Sequence, residues 1–288
     1  MNYNYDPELA SLLEFLPDVS LGISEPVKAR AGFLELVAQL NADIDQHGVA
    51  IHNRSIPGPT GAPDVAIRLY SPEGLEQAVP AILHIHGGGF VIGDLDSELG
   101  SCVALCRQLG VVVVSVDYRL APETPYPGPL EDCYAALEWV SSNSAQLSTD
   151  PTRIAVFGQS AGGGLAAATC LLAKDRDGPD ICFQYLGIPE LDDRLQTHSM
   201  QRFVDTPMWN RPNAELSWDF YLGDQYQRGA DDVPYHAAPA RAEDLTGLPP
   251  AYISTMEFDP LRDEGVQYAL NLMQAGVATE LHSFPGTF

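Results

Sequence analysis

The chain has 288 residues, 45% of them hydrophobic and 19% charged, a composition that supports one or two compact domains and excludes wholesale disorder, a collagen-like fibre or a polar repeat array. Against 39 Asp and Glu stand only 15 Lys and Arg, a formal net charge of −24, and with no basic cluster to displace counterions from phosphates a nucleic-acid partner is excluded and an anionic membrane surface disfavoured. The five cysteines, at positions 102, 106, 133, 170 and 182, are odd in number and dilute, which predicts buried thiols in a reducing compartment rather than a disulfide framework. Cys102 and Cys106 lie one helical turn apart, but no second Cys or His pair follows at zinc spacing, so no metal site is predicted.

The N-terminal stretch has no cationic region followed by an apolar run and a small-residue cleavage site, which predicts a cytoplasmic protein. Its longest apolar stretches, such as Leu165 to Ala173, fall short of the roughly 18 residues that a membrane span needs. Leu9, Leu12, Leu13 and Leu16, then Phe33, Leu34, Val37 and Leu40, recur at helical spacing and predict two amphipathic helices within residues 7–46. From Ile51 the pattern becomes alternating, with Val65, Ile67 and Leu69 apolar between Pro-Gly turns, the mark of an antiparallel strand pair.

Beyond Pro80 the apolar runs are continuous, at 81–86, 111–118 and 153–158, as in strands buried on both faces. Helical segments at 97–109 and 130–142 separate them, so strand and helix alternate as in a parallel sheet with crossover helices. Residues 190–230 interrupt this rhythm with a polar, acidic stretch carrying Met208, Trp209, Trp218, Phe220 and Tyr221. It reads as a helical insertion whose aromatic cluster either walls a pocket or packs the insertion itself. A strand at 251–259, a helix at 262–275 and a strand at 279–284 then resume the pattern.

Two motifs carry chemistry. Gly158-Gln159-Ser160-Ala161-Gly162 stands directly between a buried strand and a small-residue helix, the setting of a nucleophile elbow, in which flanking glycines permit a sharp turn and a helix N-terminus favours negative charge beside the serine. His86-Gly87-Gly88-Gly89-Phe90 ends an earlier strand, where consecutive glycines leave backbone N–H groups bare to meet an oxyanion. A phosphate cradle is the other use of such a loop, but the Lys-Ser/Thr of a P-loop and the spacing of a dinucleotide fingerprint are both missing. Glu257, Asp259 and Asp263 offer carboxylates after a later strand, and each also suits a helix start.

Together with Asp117-Tyr118-Arg119-Leu120-Ala121-Pro122-Glu123 and Asp259-Pro260-Leu261-Arg262-Asp263-Glu264-Gly265, these motifs resemble the hormone-sensitive-lipase family of α/β-hydrolases from about residue 60 to the end. Gln159 departs from the Asp or Thr usual before the serine. The resemblance implies an α/β-hydrolase fold, a mostly parallel central sheet flanked by helices with a helical cap. Residues 1–50 would be the N-terminal part of that cap, 51–189 the first part of the core, 190–230 the cap insertion and 231–288 the second part of the core, its C-terminal end missing.

By the same resemblance Ser160 is the nucleophile, the N–H groups of Gly88, Gly89 and Ala161 form the oxyanion hole, and Asp259 is the triad acid, with Asp263 as its competitor. His86 supports the glycine loop, while Tyr118 and Arg119 are scaffold. The catalytic histidine is expected directly after Phe288, and His282 lies in a strand-like run remote from that position. The implied activity is hydrolysis of short-chain carboxylic esters through a serine acyl-enzyme, with no metal or organic cofactor, in a homodimer. A non-catalytic small-molecule receptor on the same fold, and an amidase or lactonase, are the alternatives.

Overall fold

The computed structural model describes residues 3–11, 13 and 22–288. Its centre is an eight-stranded sheet built from β1 (Val49–Ile56), β2 (Val65–Pro72), β3 (Val79–Ile85), β4 (Val112–Asp117), β5 (Thr149–Gln159), β6 (Phe183–Gly187), β7 (Ala251–Met256) and β8 (Thr279–Phe284), in the order β1-β2-β4-β3-β5-β6-β7-β8. β1 and β2 pair antiparallel, β2 pairs antiparallel with β4, and every later pair is parallel. The continuous valines explain the centre. Val112, Val113, Val114 and Val116 of β4 are fully buried, so both faces of the strand are covered, each side chain contributing roughly 1.5–3 kcal/mol relative to an exposed position.

Crossover helices supply the cover: α3 (Leu99–Leu109), α4 (Gly128–Ser142), α6 (Ala161–Asp175) and α9 (Arg262–Gln274), with the single turn α5 (Ser144–Leu147) leading into β5. α3 ends where Gly110 takes φ 65° and returns its N–H to the Cys106 carbonyl, a left-handed cap that glycine adopts without penalty. Residues 161–173 of α6 are buried throughout. Gly162 makes that possible, because a Cβ there would stand 2.2 Å from the Ile85 carbonyl oxygen and 2.4 Å from that of His86. Between β6 and β7 the chain adds α7 (His198–Arg202) and α8 (Arg211–Leu222), the latter capped by Asn210, whose side chain accepts from the Asn213 N–H at 3.2 Å.

The N-terminal part departs from expectation. The first helix, α1, is a single turn, Pro7–Ala10, and Leu12 and Leu16 lie outside the described residues. α2 (Pro26–Asn41) forms, yet of its periodic apolar residues only Val37 is buried, while Leu34 and Leu40 are 46% and 66% exposed. A polar clamp anchors it instead. Arg30 donates to the carbonyls of Val91 and Ala121, each at 2.8 Å, and to both oxygens of Glu123. The thiols of Cys102, Cys106, Cys133 and Cys170 are buried as expected, whereas Cys182 is exposed.

Candidate active site

β5 runs into α6 through Ser160, which holds φ 55° and ψ −125°, a region that non-glycine residues enter only under restraint. Neighbours supply the restraint. The Ser160 N–H donates to the Gly187 carbonyl at 2.8 Å, and the Ser160 carbonyl accepts from Gly164 and Glu190, each at 3.0 Å. A Cβ on Gly158 would meet the Gly162 carbonyl oxygen at 2.0 Å, so only glycine closes the turn at that point. Ala161 is the first helical residue, and its N–H is among the orphan donors of the helix start.

The glycine loop is pressed against this corner. A Cβ on Gly87 would come within 2.9 Å of the Gln159 carbonyl oxygen and 3.5 Å of the Ser160 Cβ. Gly88 and Gly89 take φ 115° and 56°, and the Gly88 carbonyl turns away to accept from Val91 and Ile92 at 3.0 Å. Among the described residues no backbone carbonyl engages the N–H groups of Gly88 or Gly89. The structure therefore brings Gly88, Gly89, Ser160 and Ala161 to one place, at the carboxyl ends of parallel strands, where open α/β sheets bind ligands.

His86 lies beneath, fully buried and stacked on Tyr118 with ring centroids 4.1 Å apart. Its Nδ1 lies 2.7 Å from the Gly87 carbonyl oxygen; a carbonyl only accepts, so Nδ1 carries the proton. Burial, partly offset by that bond, pushes the ring down to about 4, which keeps it neutral. Tyr118 donates to the His86 carbonyl at 3.0 Å, and Arg119 grips buried Asp132 through two side-chain bonds at 2.7 and 2.8 Å. His86 and Tyr118 thus sit against the base of the glycine loop, while Arg119 ties the end of β4 to α4.

The two candidate acids separate cleanly. Asp259 is 5% exposed and accepts the Leu261 N–H at 2.8 Å on one oxygen. Burial raises its carboxyl to about 7 against the pull of that N–H and of Arg262. Both oxygens of Asp263 are engaged, one by the Arg262 guanidinium and one by the Ser199 N–H, each at 2.8 Å. Although burial works in the other direction, those partners hold Asp263 below the usual carboxylate range.

The last residues of the chain run alongside the approach to Asp259. Phe258 donates its N–H to the Thr287 carbonyl at 2.9 Å, and Gly286 donates to Glu257 at 2.7 Å. Residues 286–287 thus lie on a backbone tied to Asp259's own neighbours. His282 is elsewhere, on edge strand β8, bonded to Glu280 at 2.6 Å and stacked on Tyr252.

The aromatic cluster of 190–230 divides. Trp218 and Tyr221 are fully buried, and Tyr221 stacks on Phe90 at 4.0 Å, so both are packing residues. Trp209 instead covers Gly89: a Cβ on that glycine would stand 2.6 Å from the indole. Glu190, buried at the end of β6, went unread in the sequence, although its place at a strand's carboxyl end was a signal. Among the described residues no group of three or more His, Cys, Asp or Glu could hold a metal, and no helix is long and apolar enough to cross a membrane.

Comparison with known proteins agrees with this fold. Residues 82–288 match the family described by its alpha/beta hydrolase fold. Carboxylesterase NlhH of Mycobacterium tuberculosis is 39% identical over 291 residues, covering 97% of this chain and 86% of the relative. Among solved structures, a bacterial heroin esterase is 55% identical, with a TM-score of 0.96 over 99% of this chain and 90% of that one. A hyperthermophilic esterase from Pyrobaculum calidifontis is 33% identical, with a TM-score of 0.88 over 99% of this chain and 90% of its own. The chain belongs to the hormone-sensitive-lipase-like family of α/β-hydrolases.

Proposed function

We propose that the protein is a carboxylic-ester hydrolase that works through an acyl-enzyme on Ser160. The observation that carries this reading is the strained elbow holding Ser160 at the N-terminus of α6, with the unengaged N–H groups of Gly88 and Gly89 beside it. The Ser160 oxygen attacks the acyl carbon while its proton passes to a histidine, and the carbonyl oxygen becomes an oxyanion received by the N–H groups of Gly88, Gly89 and Ala161. Collapse expels the alcohol, which takes the proton from the histidine. Water then repeats the sequence on the acyl group and frees the acid.

The histidine is assigned to the position after Phe288, in keeping with the Phe258–Thr287 bond that carries the backbone past Asp259. Asp259 orients it, and a buried carboxyl with one oxygen left over suits that role. No metal or organic cofactor enters these steps. α2, α7 and α8 serve as the cap, and Trp209 over Gly89 supports a preference for short acyl chains. Relatives that carry esterase names favour ester hydrolysis over a receptor, amidase or lactonase. The buried thiols support a cytoplasmic location, and the homodimer rests on family likeness.

A fluorophosphonate should label the full-length enzyme at Ser160 alone. Ser160→Ala should lose the label and on the order of 10⁶ in kcat on a short-chain nitrophenyl ester. Labelling that persists in Ser160→Ala, or an adduct mapped to another serine, would remove the assignment.

A further inference from the structure

Glu190 follows Pro189 at the carboxyl end of β6, and its N–H donates to the Ser160 carbonyl at 3.0 Å. Its side chain is fully buried, and neither carboxyl oxygen has a hydrogen-bond partner among the described residues. Nothing in the mechanism above uses it. The groups facing it are the Ser217 hydroxyl from α8, Asp259 after β7, Glu264 from α9 and Tyr118 after β4. Its ionisable neighbours are thus all acids, and a carboxylate in that enclosure would surrender its hydration for no compensating charge. Burial lifts the group to about 8, opposed by the Ser217 hydroxyl and reinforced by Asp259.

On its other side Ser217 donates to the Gly89 carbonyl at 3.0 Å. A hydroxyl has one proton to give. While Glu190 is neutral that proton serves Gly89, but an ionised carboxylate is the stronger acceptor and draws it away.

We propose that Glu190 is a positioning residue: its neutral carboxyl leaves the Ser217 hydroxyl on Gly89 and so holds the glycine loop toward Ser160, and its ionisation releases that loop. The proposal rests on the reading of Gly88 and Gly89 as oxyanion donors. It couples the rate to a proton on a group that never touches the substrate.

The test is the pH dependence of kcat on a short-chain nitrophenyl ester, with full-length enzyme and active sites counted by fluorophosphonate titration. The unmodified enzyme should lose about tenfold in kcat through a midpoint near 8 and then level off, with KM little changed. Glu190→Gln, permanently neutral and nearly isosteric, should abolish that decline. Ser217→Ala, which removes the shared donor, should lower kcat on the order of tenfold across the range and likewise abolish the decline. A Glu190→Gln profile that keeps the alkaline decline would overturn the proposal, as would a Ser217→Ala enzyme with unaltered kcat. Either result in protein that still labels at Ser160 would leave the esterase reading standing, whereas labelling independent of Ser160 would remove that reading itself.

Discussion

Asp259 and Asp263 sit four residues apart in the sequence and differ in what their oxygens touch. Asp263 is committed to Arg262 and Ser199 and ties α9 to α7, whereas Asp259 is buried with one oxygen left in reserve. Asp259→Asn should therefore lower kcat by roughly 10⁴, because an amide cannot hold the histidine in the tautomer that accepts the serine proton. Asp263→Asn should stay within about tenfold and show its damage in the melting temperature, as expected for a partly buried ion-paired carboxylate. Equal losses of kcat in the two variants would transfer the role or divide it. At this scale Ser160, Gly88 and Gly89 were legible because their constraint is local: a tight turn demands glycine at fixed offsets. Glu190 was marked only by its place at a strand's carboxyl end, since its burial is created by α8 and α9 closing over it from far along the chain.

The insertion helix α8 and the turn before it carry two tryptophans with different duties. Trp218 fills space between α8 and Phe90 with no exposure, so Trp218→Ala should cost about 3–5 kcal/mol and lower the melting temperature. Trp209 rests on Gly89, so Trp209→Ala should shift relative kcat/KM toward longer acyl chains by about tenfold while altering stability far less. A chain-length profile unmoved by Trp209→Ala would show that this ring, too, is only packing. Apolar spacing predicted that the insertion is helical but did not separate these rings, because helical period says which residues share a face and not what the face meets. The strands show the same limit. Continuous valines identified β4 as buried, yet its place between β2 and β3, antiparallel to one and parallel to the other, is a long-range pairing that no local pattern encodes. α2 misled for the opposite reason: its leucines kept the period while Arg30, a single polar clamp, did the docking.

Across the whole molecule the site is assembled against the grain of stability. Three acids, Glu190, Asp259 and Glu264, are buried at the carboxyl end of the sheet, each raised by loss of hydration, while three successive glycines, Gly162, Gly163 and Gly164, weaken the helix that starts there by roughly 1 kcal/mol apiece relative to alanine. Ser160 adds the strain of its own backbone, held at φ 55° by the bonds from Gly164, Glu190 and to Gly187. Glycine adopts that conformation freely, so Ser160→Gly should relieve about 1–2 kcal/mol and raise the melting temperature by about 2–4 °C while destroying activity. A calorimetric scan showing no gain would mean that the elbow is unstrained. If the gain appears, the most reactive atom in the protein stands where the fold would prefer no side chain, and a lineage selected for durability alone would discard its catalyst first.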